Sequence, residues 1–147
     1  MAGHAHKHVH HHQAASQSGD KSRFFENIPI FEKMGQELNI DPDFLMALSS
    51  HESGWITDEN AGLHNLFGLT RAGGMNLKFS SYQECADYWV AHYKSYVQGA
   101  ATMNAFIKGL RKIPYNTEDP NYDHELELQY RTILHWKAMF EKGSGTK

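Results

Sequence analysis

Glu52 is the residue of this sequence with the clearest capacity for chemistry. It sits in the run His51-Glu52-Ser53-Gly54-Trp55, directly after the apolar residues 44–48. Because Gly54 predicts the end of a helix, we expect the carboxyl group at the border between a buried core and an open groove. Partial burial raises the pKa of a carboxyl group and keeps it protonated near neutral pH. Cleavage of a glycosidic bond requires an acid of this kind.

Helical patterns predict the frame that holds this acid. Asp41 followed by proline predicts a helix over Pro42–Ser53, on which Leu48 and Glu52 share one face at an offset of four. Periodic apolar residues predict four further helices, at about residues 29–38, 81–99, 102–112 and 122–140.

The helix that begins near residue 81 has the clearest start signal. Ser81 and Glu84 have the spacing of a capping box. Cys85 is the only cysteine in the sequence, so no intrachain disulfide can form, and we expect it to be a buried core residue. The apolar side of this helix is predicted to comprise Cys85, Trp89, His92 and Tyr96.

Residues 55–79 form a segment rich in Gly, Asn and Thr between the predicted helices, and its residues 70–79 are the insert. The apolar residues at 66–69 and 76–79 flank a segment with two glycines, which predicts a short hairpin or an irregular loop. We expect this insert to form one lip of a cleft. The predicted fold class is therefore mostly α, with about five helices and a small β-like insert.

Length and charge exclude several classes of protein. The 147 residues suffice for one domain with a core. A net charge of −3 without a basic stripe argues against nucleic acid as a partner. No apolar run reaches the roughly 20 residues of a membrane span, and no secretory signal is visible. We expect a monomer that needs no cofactor.

The N-terminal region is unlike the rest of the sequence. The His-rich residues 1–13 and the small polar residues after them are typical of an expression tag and linker, rather than of a natural metal-binding tract. We therefore expect residues 1–23 to lie outside the fold, a single domain at residues 24–141, and a flexible tail at residues 142–147.

Four segments, in order, resemble motifs of the lysozyme-like superfamily. The closest resemblance is to the bacterial autolysin and flagellar N-acetylglucosaminidase family (glycoside hydrolase family 73). Residues 47–55 match its Ala/Ser-x-x-Glu-Ser-Gly-Trp helix end, and residues 65–69 match its Asn-x-Phe-Gly-Ile motif. Residues 79–88 are similar to the start of its next helix. Residues 115–122 resemble Tyr-Ala-Thr-Asp-Pro-x-Tyr with one residue inserted or shifted.

The resemblance implies a lysozyme-like (α+β) fold and a peptidoglycan hydrolase that cuts the glycan strand at the bacterial cell wall or periplasm. The implied activity is that of an endo-β-N-acetylglucosaminidase with Glu52 as general acid. Tyr115 matches an aromatic hydroxyl that positions the N-acetyl group or steadies developing charge. A muramidase, a lytic transglycosylase and an inactive glycan-binding or scaffold domain are the alternatives.

Five residues near these motifs are candidates for substrate binding. Asn65 could hydrogen-bond either a sugar or its own turn, which is the commoner role of such residues. Trp55 could stack on a sugar face or pack at the helix end, and Phe67 is better explained as a core residue. The full set is Ser53, Trp55, Asn65, Phe67 and Tyr82.

A second catalytic carboxylate is harder to find in the sequence. Glycosidases commonly use two, and many members of the resembled family carry a Glu in the insert, but residues 70–79 contain no acid. Asp58 or Glu59 could fold back and activate water. Alternatively, the substrate's acetamido oxygen or its muramoyl 6-hydroxyl could attack, with Glu52 as the sole protein acid. The sequence favours such a single-acid scheme.

We predict no catalytic metal. Adjacent helical residues point about 100° apart, so His51 cannot face the same bond as Glu52. The histidines beyond the N-terminal tract also lack the spacing of zinc ligands. They are His51, His64, His92, His124 and His135.

Overall fold

Helices make up most of the folded chain. The computed structural model describes residues 21–113 and 120–145, so Tyr115 and residues 1–20 of the expected tag and linker (1–23) lie outside the described residues. The mostly α prediction is confirmed, and within these ranges the β structure is one antiparallel bridge between Thr70 and Asn76. The helices are α1 (Ser22–Phe25), α2 (Ile28–Leu38), α3 (Pro42–Ser53), α4 (Asp58–Leu63), α5 (Tyr82–Val97), α6 (Met103–Leu110) and α7 (Tyr122–Gly145).

Helix α3 is the central element of the domain. The Asp41 side chain caps its start by accepting the Asp43 N–H at 2.9 Å, with Pro42 in the first position. Gly54 ends it in the left-handed conformation, with φ of 64°. Every residue from 44 to 50 is buried. The helix therefore has no solvent-facing side between its first turn and its last.

The other helices surround α3. Helices α2 and α7 pack directly on it, α5 packs on α2, and α6 lies against both α5 and α7. Short α1 packs on α7, where the Phe25 and Phe140 rings stack at 5.5 Å. Burying these apolar faces is the main stabilising contribution to the fold. Its largest fully buried side chains include Trp89, Phe24, Phe31 and Phe106.

Polar contacts fix how α7 lies along α3. Lys137 and Asp43 form an ion pair at 2.7 Å with both side chains largely buried. Burial alone would lower the pKa of Lys137, but the hydrogen bond and the charge of Asp43 outweigh it, and the pKa is raised. Two turns away, Gln129 donates to the Ser50 hydroxyl at 2.9 Å. Together the two contacts set an antiparallel register.

The helix boundaries differ from the sequence prediction at three places. Helices α1 and α4 were not predicted, although Thr57 caps α4 by accepting the Asn60 N–H at 3.2 Å, a local signal that the sequence contains. Helix α7 continues to Gly145, beyond its expected end at residue 140. The other predicted helices are confirmed, with ends that shift by one or two residues.

The predicted apolar face of α5 was wrong in its second half. Cys85 and Trp89 are fully buried, but Tyr93 takes the inward position instead of His92, and Tyr96 is 38% exposed. The buried face follows a spacing of four residues, through Tyr93 and Val97, on the helix that packs against α2 and α6. The prediction that Cys85 is a core residue is confirmed, and burial raises the pKa of its thiol to about 12.

Gly109 permits the close approach of α6 to α5. A Cβ atom at this position would overlap the Tyr96 carbonyl, which is main chain and cannot move aside cheaply. We expect Gly109→Ala to lower the free energy of unfolding by about 1–3 kcal/mol, measured by chemical denaturation. Gly62→Ala is the control, because a Cβ there meets nothing within 4 Å. It should instead stabilise α4 by about 0.5–1 kcal/mol, and equal effects of the two variants would contradict this packing role.

Candidate functional site

Glu52 lies in the last turn of α3, where the helix emerges from the core. Its side chain is half-buried, whereas Leu48 one turn earlier is fully buried. The predicted position at the border of the core is therefore confirmed. Ser53 follows it, and its hydroxyl donates to the Ser49 carbonyl at 2.7 Å and accepts the Ile56 N–H at 2.9 Å. Ser53 thus holds the chain reversal after α3 and is fully buried.

The loop of residues 65–69 packs directly on the main chain of Glu52. Gly68 adopts φ of +57°, and a Cβ on it would overlap the Glu52 carbonyl and lie 3.9 Å from the Glu52 Cβ. Only glycine meets both requirements, close approach and left-handed backbone, without strain. Gly68 is part of the sequence motif at residues 65–69, but the sequence alone predicts no role for it. Its contact is with Glu52, a residue 16 positions away.

Asn65 holds this loop in shape. Its side-chain amide donates to the carbonyls of Leu69 at 2.9 Å and Leu77 at 3.0 Å. Its oxygen accepts the N–H groups of Leu69 at 2.9 Å and Phe67 at 3.3 Å. With the side chain fully buried, Asn65 fills the turn-bonding role, one of the two that the sequence left open.

Phe67 and Leu66 anchor the same loop in the core. The Phe67 ring stacks on Trp89 at 5.3 Å, and the Leu66 N–H donates to the Cys85 thiol at 3.3 Å. Both side chains are almost fully buried, so Phe67 is the core residue that the sequence favoured rather than a sugar platform.

The insert that follows is a small hairpin-like loop. The Leu77 N–H donates to the Leu69 carbonyl and the Arg71 N–H to the Met75 carbonyl, both at 2.9 Å. Its tip turns through glycines at positions 73 and 74, both with positive φ. The sequence allowed either a hairpin or an irregular loop, and the structure has the first in minimal form.

The two acids considered for the second carboxylate point to different neighbours. Asp58 pairs with Arg23 of α1 at 2.9 Å. Glu59 accepts a hydrogen bond from Asn76 of the insert at 2.9 Å. Of these two acids, only Glu59 is therefore bonded to the insert that follows the loop packed on Glu52.

Glu84 has the structural role that its position predicts. Its carboxylate accepts the Ser80 N–H at 2.5 Å, and its own N–H donates to the Ser81 hydroxyl at 3.0 Å. The hydrogen bond from Ser80 lowers the pKa of this carboxyl group. The bond to Ser81 is the N-cap half of a capping box at the start of α5, whereas the carboxylate bonds Ser80, one residue before the N-cap.

His51 faces α7 rather than the insert. Its Nε2 lies 3.7 Å from Glu125, and its ring is 6.1 Å from that of Tyr122. The guanidinium carbon of Arg111 lies 5.5 Å from the centre of the same tyrosine ring. The side chains at 51 and 125 therefore border Glu52 on the α7 side.

Trp55 and Tyr82 are the two substrate-binding candidates that retain exposed surface. The Trp55 ring contacts Phe24 at 5.1 Å and lies 4.9 Å from the Lys21 ammonium, so it packs at the helix end. Tyr82 contacts the His64 ring at 5.2 Å, and burial raises the pKa of its hydroxyl. Sugar contact by either residue stays a prediction.

Neither a metal cluster nor a membrane helix is found in the described part of the chain. Residues 21–113 and 120–145 contain no group of three or more His, Cys, Asp or Glu side chains placed to hold an ion. Within the same ranges, no helix is long and apolar enough to cross a membrane.

Residues 28–134 match a family model described as mannosyl-glycoprotein endo-beta-N-acetylglucosaminidase, the glucosaminidase family. The chain belongs to this family. The match runs from α2 into α7 and includes Glu52, Gly68 and the insert. The prediction of a glycoside hydrolase is thereby confirmed. Membership of this family also supports peptidoglycan as the substrate class.

A solved structure supports the fold of this chain. One chain of a type VI secretion system effector–immunity complex from Pseudomonas protegens superposes with a TM-score of 0.64 at 20% identity. The alignment covers 78% of this chain and 94% of that one. The mostly α, lysozyme-like fold is therefore confirmed. A comparison with curated protein sequences gives no match.

The contact of Gly68 with Glu52 predicts a specific loss of activity. Gly68→Ala should lower kcat/KM by about 10²-fold, because the new Cβ displaces the main chain that carries the acid. Gly74→Ala is the matched control, since it also has positive φ but meets nothing within 4 Å. That variant should lose about 1–2 kcal/mol of stability and keep its activity. Similar activities of the two variants on soluble glycan would contradict the positioning role.

The hydrogen bonds of Asn65 predict a loss of stability. Asn65→Asp keeps the shape but replaces the amide donors by an acceptor facing two carbonyl oxygens. We expect the free energy of unfolding to fall by about 3 kcal/mol, measured by urea denaturation. Asn104→Asp, at an exposed position on α6, should change it by less than about 0.5 kcal/mol. A fully stable Asn65→Asp variant would refute this role.

Proposed function

We propose that this chain is a peptidoglycan hydrolase that cleaves the glycan strand after N-acetylglucosamine, with Glu52 as the general acid. The observation that carries the proposal is the position of Glu52, half-buried in the last turn of the central helix, where the loop of residues 65–69 packs on its main chain. A carboxyl group there combines a sheltered environment with access to a substrate. The glucosaminidase family match supports the bond that is cut.

The acid acts on the leaving oxygen of the glycosidic bond. Cleavage passes through a transition state with positive charge at the anomeric carbon, and the departing sugar needs a proton. Glu52 donates that proton as the bond breaks. The backbone around it is fixed by Gly68 and Ser53, so the acid is positioned before substrate binds.

Residues at the edges of the site are proposed to hold the sugars. Tyr82 and Trp55 keep exposed ring surface, and aromatic faces suit the apolar faces of sugar rings. Tyr115 is proposed as the hydroxyl that orients the N-acetyl group, on the family motif alone. Cleavage of the strand makes the protein bacteriolytic wherever it reaches the bacterial cell wall or periplasm.

The identity of the cleaved bond distinguishes this proposal from its rivals within the fold. Digested sacculi treated with borohydride should yield reduced N-acetylglucosamine at the new chain ends. Reduced muramic acid ends would indicate a muramidase, and ends that resist reduction would indicate anhydro products of a lytic transglycosylase. Either result would contradict the proposed specificity.

Glu52→Gln tests the role of the acid. The amide keeps the shape but cannot donate the proton, so release of soluble fragments from purified sacculi should fall by at least about 10²-fold. The melting temperature should change little, because the residue is half-exposed. Glu37→Gln, at an exposed position on α2, is the control and should retain wild-type activity.

The same assay separates an enzyme from a binding domain. If the wild type and Glu52→Gln both bind sacculi without releasing fragments, the chain is an inactive glycan-binding domain. If both release fragments at the same rate, Glu52 is not the acid.

A further inference from the structure

We propose that Glu59 is the base that activates the attacking water, and that Asn76 is the residue that positions it. This inference rests on the proposed function of Glu52 as the acid. It replaces the single-acid scheme that the sequence favours. Residues 70–79 contain no acid of their own, but Glu59 of α4 is hydrogen-bonded to Asn76 within them.

A series of contacts connects the main chain of Glu52 to the carboxylate of Glu59. Gly68 packs on the main chain of Glu52. Asn65, three residues earlier, bonds the main chain on both sides of the insert, at Leu69 and Leu77. Asn76 lies next to that second anchor and donates to the Glu59 carboxylate at 2.9 Å. The loop of residues 65–69 and the insert at residues 70–79 thus connect the main chain of Glu52 to the carboxylate of Glu59.

Glu59 and its neighbour Asp58 are not equivalent, although both are exposed acids at the start of α4. Side chains adjacent on a helix diverge by about 100°. Asp58 bonds Arg23 at 2.9 Å, and the same guanidinium donates to the Ile56 carbonyl at 2.8 Å, which directs Asp58 toward α1. Glu59 is directed toward the insert by Asn76 instead.

The hydrogen bonding of Glu59 leaves it able to take a proton. The Asn76 amide donates to Oε2 of Glu59, and among the described residues no hydrogen-bond donor contacts its Oε1. The side chain is exposed, so water reaches it.

Other acids near the site have different partners. Glu84 is engaged by the Ser80 N–H at the start of α5. Glu125 faces His51 on the α7 side. Residues 70–79 contribute no acid. Glu59 is therefore the carboxylate that the described residues place on the insert side of Glu52.

The proposed step is a direct displacement by water. Glu59 accepts a proton from water as the water oxygen bonds to the anomeric carbon. The bond from that carbon to the leaving oxygen breaks with its electron pair, and Glu52 donates a proton to that oxygen. Exchange with solvent then restores both carboxyl groups. The β linkage is converted to an α hydroxyl, and inverting pairs are about 6.5–9.5 Å apart to accommodate the water.

Product stereochemistry in the wild type is the primary test. Proton NMR of soluble glycan fragments during the first minutes of cleavage should show the α anomer at the new reducing end. A first-formed β anomer would overturn the proposal, because attack by the substrate's own acetamido oxygen retains the configuration.

Variants test the two residues separately. Glu59→Gln should lower kcat by about 10²–10⁴-fold, and azide should restore turnover by replacing water as nucleophile. Asp58→Asn is the matched control, adjacent on α4, and should keep wild-type kcat. Asn76→Ala should lower kcat by about tenfold with KM unchanged, and should add nothing to Glu59→Gln in the double variant.

The outcomes distinguish this inference from the proposed function. Full activity of Glu59→Gln, or an additive effect of Asn76→Ala, would overturn the roles of Glu59 and Asn76 while Glu52 keeps its own. A wild type that releases no fragments, or an active Glu52→Gln, would instead refute the proposed function.

Discussion

The contact between Gly68 and the main chain of Glu52 is the constraint on which the site depends. It brings a loop from outside the helical core against the last turn of α3, where half-buried side chains follow the buried residues 44–50. Glycine is required there by close approach and by positive φ together. The acid is therefore held from two sides, by the buried helix that carries it and by the loop that covers its carbonyl.

That loop keeps its position because it is anchored at several levels. Asn65 hydrogen-bonds four main-chain groups of the loop and the insert, so these buried polar groups have partners. Phe67 inserts a ring into the core against Trp89. The Phe67 ring and the hydrogen-bonded Asn65 amide together restrict the movement of the loop. The insert that follows is held by the same amide, and Asn76 of the insert bonds Glu59.

The arrangement gives the two proposed carboxylates different supports. Glu52 is carried by the most buried helix, held by α2 and α7, where movement would disrupt the whole core. Glu59 is on a short peripheral helix and depends on one amide of the insert. A base that serves a water molecule needs solvent and some distance from the acid, whereas the acid needs shelter. The two supports match these opposite requirements.

The sequence by itself determined what is encoded locally. Caps such as Asp41 and Ser81, the stop at Gly54 and the apolar periodicity predicted the main helices, and the motif around Glu52 indicated the family and the residue proposed as the acid. Tertiary structure alone decided which way Asp58 and Glu59 point, why Gly68 is needed, and which face of α5 is buried. Those features depend on partners 16 or more residues away, and no local pattern specifies which surfaces will meet.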